Sequence, residues 1–289
     1  MYQCHSVLDP GVVLYFEIRT SVDDLYSLFA MEKITESRPV TISISVVSHG
    51  QMDMVMDLMQ DIHAHCHGQA IELILTLNIH EVFTVDEHHF FYPITVIRNT
   101  VPQGFGANHN QAFRVARGDY FCVLNPDIRL DVCPFQALLG CLEEVKIGIV
   151  APRVLNPSGT TEDSARRFPT LKKIMGKLVK KTRSIDYALG DELVDVDWVA
   201  GMFMLFPHAV FENLKGFNER YFLYYEDVDI CARLHLIGLR VVVDPGSCVV
   251  HHAQRRSHRS LRYLRWHVGS MLRFLCSAEY RQLKSQHRL

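Results

Sequence analysis

Three carboxylates lie close together in the stretch Tyr224–Asp229, which reads YYEDVD, and groups of this kind can transfer protons. The apolar residues that follow recur at helical spacing, and these are Val228, Ile230, Leu234 and Ile237. The stretch therefore predicts carboxylates at the start of an amphipathic helix. Because a helix N-terminus favours negative charge, Glu226 and Asp227 are open to a capping role as well as a catalytic one.

The neighbouring segments favour the catalytic role over the capping one. An apolar run interrupted by a glycine, Asp197–Leu205, comes before the carboxylates, and an aromatic turn, Gly216–Phe222, lies between them. A strand at Arg240–Val243 and the histidines of Val249–His252 come after them. A carboxylate pair at a helix start, preceded by a glycine-broken strand and followed by histidines, is typical of a functional site.

A candidate metal ligand, Asp127, follows the buried strand predicted at Tyr120–Leu124. A carboxylate at the carboxyl end of such a strand lies where α/β proteins bind ligands. The alternative is a plain type I turn with Pro126 at its second position. His251 and His252 end a later strand and are open to two interpretations, a metal ligand or a buried pair bonded to the backbone.

Strands and helices alternate over the first half of the chain. The predicted strands are Val40–Val47, Ile71–Leu77, Ile94–Arg98 and Tyr120–Leu124, and the predicted helices are Met52–Ile62 and Asn108–Ala116. This alternation predicts an α/β fold with a largely parallel sheet and with ligands at the carboxyl ends of the strands. The glycines of Gly104–Gly106 follow a strand but lack the third glycine of the dinucleotide-binding fingerprint.

The composition is that of a globular protein, with 289 residues of which 48% are hydrophobic. No apolar run reaches the roughly 20 residues of a membrane span, and the N-terminus lacks the pattern of a secretory signal. Eight cysteines are scattered without a C-x-x-C pair. We therefore expect buried thiols in a reducing cytosol and no disulfide framework.

The formal net charge of −2 hides two basic segments on an acidic body. Residues 166–183 contain eight Lys or Arg and no acid, and residues 253–289 contain nine Lys or Arg and one acid. This distribution predicts an anionic partner, either phosphate groups or an anionic membrane face. A nucleic-acid-binding module is a rival interpretation, but the tail lacks a known recognition motif and the acidic body opposes it.

Several short motifs follow one another from about residue 40 to the C-terminus. They are Ser48-His49-Gly50, Gly104-Phe105-Gly106 with Asn108 and Asn110, Asn125-Pro126-Asp127, Arg167-Phe168-Pro169, Asp197-Trp198-Val199-Ala200-Gly201, Glu226-Asp227-Val228-Asp229 and Arg265-Trp266-His267. In this order they resemble the inverting sugar-nucleotide glycosyltransferases of family 2, which have the GT-A fold. Within that family the chain is most similar to bacterial rhamnosyltransferases of O-antigen and other polysaccharide assembly.

The resemblance implies a Rossmann-like, mostly parallel mixed sheet flanked by helices, with a basic amphipathic helix at the C-terminal end. It places the catalytic domain at residues 39–252 and a basic helical segment at 253–289. Residues 1–38 match nothing in the family pattern. A helix is predicted there from Ser21 to Ile34, with Ser21 as its cap and no assigned role.

The resemblance also implies an activity. L-rhamnose would move from dTDP-β-L-rhamnose to a lipid-linked saccharide on a polyprenyl diphosphate, with inversion at the anomeric carbon. Asp227 would be the general base and Glu226 would orient the acceptor. Asp127 and His251 would hold Mg²⁺ or Mn²⁺ on the donor diphosphate, because a hard cation offsets the charge of that leaving group.

The remaining implied site residues fall into two groups. The donor group is Ser48, Asn78, Gly104, Phe105, Asn108, Asn110, Asn125, Asp127, Trp198 and Gly201, and the acceptor or diphosphate group is Arg166 and Arg167. One departure concerns the second strand, which in the family usually ends in an Asp that contacts the nucleotide base. Here Leu77 and Asn78 stand at that place, so dTDP and UDP donors both stay open. The sequence also leaves open a hexosyl- or galactofuranosyltransferase and a non-catalytic scaffold.

The last segment predicts an amphipathic helix from about Ser260 to Leu275. Its apolar face consists of Leu261, Leu264, Val268, Met271, Leu272 and Leu275, and the arginines at its start are Arg255, Arg256, Arg259, Arg262 and Arg265. Basic residues at a helix start oppose the helix dipole, so an anionic membrane or a lipid-linked diphosphate is expected to favour them. This interpretation predicts an enzyme peripheral to the cytoplasmic face of the inner membrane. A docking helix with a solvated basic rim is the competing interpretation.

Overall fold

A computed structural model describes residues 41–84, 89–171, 173–174, 185–252, 261–286 and 289. The strands are β1 (Thr41–Ser48), β2 (Ala70–Leu77), β3 (Ile94–Arg98), β4 (Tyr120–Leu124), β5 (Ile128–Arg129), β6 (Ile147–Leu155), β7 (Ala165–Arg166), β8 (Val194–Asp195), β9 (Trp198–Val199), β10 (Phe203–Pro207) and β11 (Arg240–His251). The helices are α1 (Met52–His65), α2 (Phe105–Phe113), α3 (Phe135–Cys141), α4 (His208–Asn213), α5 (Glu226–Leu236), α6 (Leu261–Leu275) and α7 (Ala278–Ser285). The helix predicted at Ser21–Ile34 lies outside the described residues.

The first four strands form the parallel half of the main sheet, in the order β3-β2-β1-β4. Most side chains of β1, β2 and β4 are buried, as is usual for parallel strands covered by helices, whereas only Ile94 is buried in the edge strand β3. Because the strands are parallel, the loops after β1, β2 and β4 leave the sheet at one edge. The predicted α/β class and the mostly parallel sheet are confirmed.

The second half of the sheet is mixed. Strand β10 lies between β4 and β6 and runs antiparallel to both. Strand β11 pairs in parallel with β6, with register shifts that include the stretch between Asp244 and Cys248. Across this irregular stretch, the predicted strand Arg240–Val243 and the later strand that ends at the histidines form one strand, β11, which brings His251 next to β5.

Helices cover both faces of the main sheet. Side chains of α1 and α3, including Leu58 and Phe135, belong to one hydrophobic cluster. Side chains of α2, α4, α5, α6 and α7, including Phe211 and Phe274, belong to a second cluster. The helices with functional interest, α2, α5 and α6, therefore lie together on one side. In the described residues no helix is both long and apolar enough to span a bilayer.

Helix α2 begins at Phe105, three residues before the predicted start at Asn108. The backbone N–H of Asn108 donates to the Gly104 carbonyl at 3.1 Å, which closes the first helical turn nearer to the N-terminus than the sequence pattern suggested. An ideal Cβ built on Gly104 would lie 2.6 Å from the Phe222 carbonyl oxygen. Glycine is thus required by the close approach of the 222 segment.

Helix α6 packs through a different face from the one that its apolar pattern suggests. The buried residues are Ser270 and Phe274, whereas Leu261, Leu264 and Leu272 are 80%, 58% and 54% exposed. Docking of α6 uses aromatic and polar contacts: the Trp266 ring lies 4.7 Å from that of Phe222, and Ser270 Oγ donates to the Leu223 carbonyl at 3.0 Å. Most of the predicted apolar face is therefore left in solvent by the described residues.

Candidate active site

A cavity of about 860 Å³ opens between α2, the loop after β4, the β9–β10 turn, α5, the end of β11 and α6. Ten of the residues that the sequence singled out line it. They are Phe105, Asn125, Asp127, Arg166, Arg167, Trp198, Gly201, Glu226, Asp227 and His251. Residues from separate parts of the chain therefore converge on a single cleft, although the role of each residue stays a prediction.

Asp227 is held in place by two backbone donors. Its Oδ1 accepts the N–H of Val228 at 2.9 Å, and its Oδ2 accepts the N–H of Gly201 at 3.2 Å. Burial raises the pKa of this carboxyl, while the backbone hydrogen bonds and the positive charge of Arg166 act in the opposite direction. A fixed carboxylate with a raised pKa is a suitable proton acceptor for a substrate hydroxyl.

Glu226 is 4% exposed, and within the described part of the chain its Oε2 has no hydrogen-bond partner. Burial, and next the adjacent charge of Asp227, raise the pKa of Glu226 well above its ordinary value. Two neighbouring carboxyls thus have different surroundings. Glu226 is suited to hydrogen-bond a ligand hydroxyl, because a buried polar atom without a partner favours a ligand that supplies one.

The two tyrosines before the carboxylates have left-handed backbone conformations. Tyr224 has φ of 71° and Tyr225 has φ of 70°, which is costly for residues with a bulky side chain. Helix α6 packs on this turn: the His267 ring lies 5.3 Å from that of Tyr224 and 5.6 Å from that of Tyr225. The strained turn fixes the direction in which α5 presents its first residues to the cavity.

The glycine predicted to break the apolar run lies opposite Asp227. An ideal Cβ on Gly201 would stand 3.0 Å from the Phe105 ring and 3.8 Å from Cβ of Asp227. The small residue therefore brings the turn between β9 and β10 close enough for its N–H to reach the carboxylate. Nearby, Trp198 Nε1 donates to the Arg167 carbonyl at 3.0 Å, and the Arg166 guanidinium stands over the Trp198 ring at 5.2 Å.

The predicted metal ligands also face each other. Nε2 of His251 lies 3.3 Å from Oδ2 of Asp127, and Nδ1 of His251 lies 2.7 Å from Oε2 of Glu162. Burial lowers the pKa of His251, but hydrogen bonds to Asp127 and Glu162 outweigh it and raise the pKa to about 9. His252 is exposed and contributes its backbone N–H to the Asp127 carbonyl, so His251 is the histidine that faces the cavity.

The donor set around Asp127 fits a divalent cation. Its Oδ1 is buried and has no hydrogen-bond partner among the described residues, which is the state expected of a carboxylate oxygen reserved for a cation. Glu162 orients the imidazole through Nδ1, as carboxylates behind metal-bound histidines commonly do. In the described residues no group of three or more acidic, His or Cys side chains is placed to hold a metal. If Asp127 and His251 are the protein ligands, substrate phosphates or water would supply the rest.

Five of the predicted donor residues do not line the cavity. Ser48 ends β1 and Asn78 comes directly after β2, so both lie at the same edge of the sheet. Ser48 Oγ donates to Glu81 at 2.8 Å, and the Asn78 amide is hydrogen-bonded to Asn99 and Gln103. Gly104 allows the close approach of the 222 segment. Asn78 is bonded to Gln103, which comes just before Gly104 and the start of α2. The contact of these residues with a nucleotide base stays a prediction.

The side chains of the two asparagines of α2, Asn108 and Asn110, are hydrogen-bonded to groups of the protein itself. The Asn108 side chain is buried and donates to the Gly104 carbonyl at 2.9 Å. The Asn110 amide donates to the Phe217 carbonyl at 2.8 Å, and its oxygen accepts the Phe217 N–H at 2.8 Å. In the structure these side chains hold α2 to its own start and to the 217 turn, and their predicted contact with a sugar nucleotide stays a prediction.

Sequence patterns missed two components of the site. Glu162 follows a Gly159 turn without any periodic signal, and nothing in the sequence links it to His251, 89 residues away. The left-handed tyrosines were also missed, because Tyr-Tyr is not a sequence signature of positive φ. The motif Arg265-Trp266-His267 does not by itself indicate what His267 contacts, and the structure places this histidine against both tyrosines.

The architecture and the cleft define the chain as a protein with the GT-A fold. The solved structure of GalNAc-T7 with UDP, GalNAc and Mn²⁺ matches it with a TM-score of 0.59 at 16% identity, over 83% of this chain and 48% of that one. Residues 78–202 match the family described as Glycosyl transferase family 2. The matched region ends before Glu226 and Asp227.

Two curated relatives narrow the comparison. The chain is 28% identical over 246 residues to "Rhamnosyltransferase WbbL" of Escherichia coli (strain K12), covering 80% of this chain and 91% of the relative. It is 29% identical over 175 residues to "N-acetylglucosaminyl-diphospho-decaprenol L-rhamnosyltransferase" of Mycobacterium tuberculosis (strain ATCC 25618 / H37Rv), covering 57% of each. The chain thus spans nearly all of one rhamnosyltransferase and little more than half of the other.

Proposed function

We propose that this protein is an inverting glycosyltransferase that moves L-rhamnose from dTDP-β-L-rhamnose to a lipid-linked saccharide during cell-surface polysaccharide (O-antigen) synthesis. The observation that carries the proposal is the cavity itself, in which the carboxylates Glu226 and Asp227 share the lining with the pair Asp127–His251. The names of both relatives support rhamnosyl transfer, and the second names an acceptor in which a diphosphate joins N-acetylglucosamine to a polyprenol.

Asp227 acts as the general base in this proposal. It takes the proton of the acceptor hydroxyl as that oxygen attacks the anomeric carbon on the side opposite the diphosphate. The bond to the diphosphate breaks as the new glycosidic bond forms, which inverts the configuration. The backbone donors of Gly201 and Val228 keep the carboxylate aimed into the cavity, so little orientational freedom is lost during the reaction.

Asp127 and His251 would hold Mg²⁺ or Mn²⁺, and this cation would offset the charge that grows on the leaving diphosphate. Asn125 lies two residues before Asp127 and lines the same wall. The unpartnered Oδ1 of Asp127 supports the assignment. The presence of Mn²⁺ in the GalNAc-T7 structure is consistent with a cation in a chain of this fold.

The acceptor occupies the side of the cavity formed by Glu226, Arg166 and Arg167. Glu226 hydrogen-bonds an acceptor hydroxyl next to the one that reacts. Arg166 and Arg167 place two guanidinium groups on the same cavity, where they complement the diphosphate of a lipid-linked acceptor. Trp198 lies under Arg166 and separates this side from the donor side.

Because the proposed acceptor is linked to a lipid, we propose that the protein binds an anionic membrane surface, at the cytoplasmic face of the inner membrane. The arginines Arg262, Arg265 and Arg273 of α6 support this, because basic side chains near an apolar helix surface favour anionic lipid. Arg255, Arg256 and Arg259 lie outside the described residues. We propose no nucleic acid partner.

A different sugar on the same machinery is the second candidate. Strand β2 ends at Leu77 and is followed by Asn78, whose amide is engaged by Asn99 and Gln103 instead of standing free as a carboxylate. The residue that usually contacts the nucleotide base is thus absent from its place. A hexosyl- or galactofuranosyltransferase that uses UDP-sugars has the same catalytic requirements.

Release of nucleoside diphosphate from a panel of nucleotide sugars tests the proposal. We expect release with dTDP-rhamnose, a divalent cation and a lipid-linked N-acetylglucosamine acceptor, and loss of release with excess chelator. Asp127→Ala is expected to lose the cation-dependent part of donor affinity, while the control His252→Ala, at an exposed neighbour, keeps it. Turnover of a UDP-sugar alone would favour the second candidate, and full activity in chelator would reject the cation assignment.

A further inference from the structure

The outer surface of α6 carries a row of exposed apolar side chains. Leu261, Leu264, Val268 and Leu272 are spaced by three or four residues, so they project from one side of the helix. The exposed fractions of Leu264, Val268 and Leu272 are 58%, 39% and 54%. We call these four residues the apolar stripe. Exposed apolar side chains in one contiguous row mark a binding surface more often than single exposed ones do.

The apolar stripe is continuous with the catalytic cavity. Leu264 and Val268 belong to the stripe and also line the cavity, together with Met271 of the same helix. Pro169 and Ile174 add apolar surface to the lining of the cavity. A ligand that reaches Asp227 and extends out along α6 therefore meets the apolar side chains of Leu264 and Val268.

Both polar and apolar groups line this route. The carboxylates of Glu226 and Asp227 lie at α5, and the guanidinium groups of Arg166 and Arg167 lie on the same cavity. The exposed leucines Leu261 and Leu272 extend beyond the cavity lining. These groups suit the parts of a molecule in which a diphosphate joins a saccharide to a hydrocarbon chain: carboxylates for the saccharide, guanidinium groups for the diphosphate and exposed leucines for the chain.

We propose that the apolar stripe binds the first part of the hydrocarbon chain of the lipid-linked acceptor, so that the enzyme recognises the chain as well as the saccharide. The inference rests on the proposed function, which supplies the acceptor. It goes further in assigning a binding surface for the chain, on a helix that contributes no carboxylate to the reaction. A bilayer face, a second copy of the protein and a segment of its own chain are rival occupants that the experiment distinguishes.

The experiment compares two acceptors with one headgroup. One is N-acetylglucosamine diphosphate esterified to a long isoprenoid alcohol in neutral detergent, and the other is the same diphosphate esterified to methanol. Binding is measured by the fluorescence of the two tryptophans, of which Trp198 lines the cavity and Trp266 lies on α6. This readout does not depend on transfer, so a failure of the proposed reaction and a failure of the chain site give different results.

We expect the wild-type protein to bind the isoprenoid acceptor more tightly than the methyl ester. In Leu264→Gln and Leu272→Gln the ratio of the two dissociation constants is expected to shrink by about tenfold, since each change removes apolar contact from the chain. Val132→Gln is the matched control, because Val132 is 62% exposed and lies in the loop before α3, away from the cavity. It is expected to keep the wild-type ratio.

Equal affinities for the two acceptors in the wild-type protein would overturn the proposal, whether or not transfer occurs. A drop in melting temperature in Leu264→Gln would show that the protein covers the stripe itself, and loss of a dimer would show that a second copy does. If the variants lose binding to acceptor-free anionic vesicles and keep the ratio, the bilayer is the occupant. Each of these three results also overturns the proposal.

Discussion

At the scale of single residues, the different surroundings of the acidic side chains in α5 make distinct predictions. Asp227→Asn is expected to lower the transfer rate by about 10²–10⁴ while donor binding stays close to wild type, because a general base is lost and the donor contacts are kept. The rate is measured as nucleoside diphosphate release with saturating donor and acceptor.

Asp229 provides the matched control on the same helix. It is fully buried and bonded to Arg233 at 2.7 Å, so it supports the fold and does not line the cavity. Asp229→Asn is expected to lower the melting temperature and leave the rate of the folded fraction largely unchanged. Near-native turnover in Asp227→Asn would mean that this carboxylate only caps α5.

The second residue-scale prediction concerns pH. A base must be deprotonated, so activity rises with pH as Asp227 loses its proton, and burial places this step above the ordinary aspartate pKa of about 3.9. The positive charge of Arg166 lowers the pKa of Asp227. Arg166→Met is therefore expected to move the acid limb of kcat/KM to higher pH, and Arg166→Lys to keep it near its wild-type position.

The profile of kcat/KM against pH, measured between the acid limb and neutrality for all three proteins, tests this prediction. A shift of the acid limb along the pH axis would show that the charge of Arg166 acts on the pKa of Asp227. A loss of kcat/KM by the same factor at every pH would show that Arg166 acts only in binding.

The sequence predicts the position of a residue when that residue lies directly before or after a recognisable strand or helix. Asp127 follows a strand and Asp227 opens a helix, and both line the cavity. Glu162 could not be found in this way, since its contact with His251 depends on a strand pairing between distant segments. The burial of Glu226, which raises its pKa, likewise results from packing and not from any local pattern.

At the scale of elements, the glycines of Gly104–Gly106 set how closely α2 approaches the turn before α5. An ideal Cβ on Gly106 would lie 2.6 Å from Cβ of Phe217, so Gly106→Ala forces the helix or the turn to move. We expect a loss of about 1–3 kcal/mol in the free energy of unfolding, as for other overpacked sites. Urea denaturation measures this change.

Gly140 of α3 is the control for this prediction. It is exposed, and nothing lies within 4 Å of the Cβ that alanine would add. Gly140→Ala is expected to leave stability unchanged or to raise it by about 0.5–1 kcal/mol through helix propensity. If both variants have the same free energy of unfolding, the close approach of α2 to Phe217 does not restrict the size of the residue at position 106.

Elements were predicted well where one repeating pattern ran through them, as in β3 and β4, whose observed bounds equal the predicted ones. The packing face of α6 was not predicted from its apolar periodicity. Its docking depends on Ser270, His267 and Trp266, which an apolar pattern does not count. Helix α7 was not predicted, because it buries only Leu283 and has few apolar residues from which a periodicity could be recognised.

At the scale of the whole molecule, charge is distributed unevenly, and this predicts a salt-dependent membrane association. An anionic bilayer attracts each nearby basic side chain by about 1 kcal/mol, and the attraction fades beyond the Debye length. The protein is expected to sediment with anionic vesicles at low salt and to be released at high salt. Arg255→Glu with Arg256→Glu is expected to weaken sedimentation.

The control replaces Arg114 and Arg117 with Glu, at exposed positions after α2. This pair changes the net charge by the same amount in another part of the molecule. Equal weakening by both pairs would show that overall charge, and not the C-terminal segment, governs the association.

The overall class was predictable because strands and helices alternate in the first half of the chain. The order of the second half was not, since β10 enters the sheet between β4 and β6 with an antiparallel direction. Such a pairing joins segments about 80 residues apart, and no local periodicity encodes it. The cavity depends on this insertion, because the turn before β10 carries Gly201.

The contact between α6 and the Tyr224–Tyr225 turn has a consequence for the order in which the contacts of the protein form during synthesis. The ribosome releases Glu226 and Asp227 before it has made Ser270 and Phe274, which fasten the turn from the outside. A growing chain can therefore complete most of the sheet while the left-handed turn is still unsupported. The contacts that α6 makes with the Tyr224–Tyr225 turn therefore form late in synthesis, after the residues of the main sheet have been made.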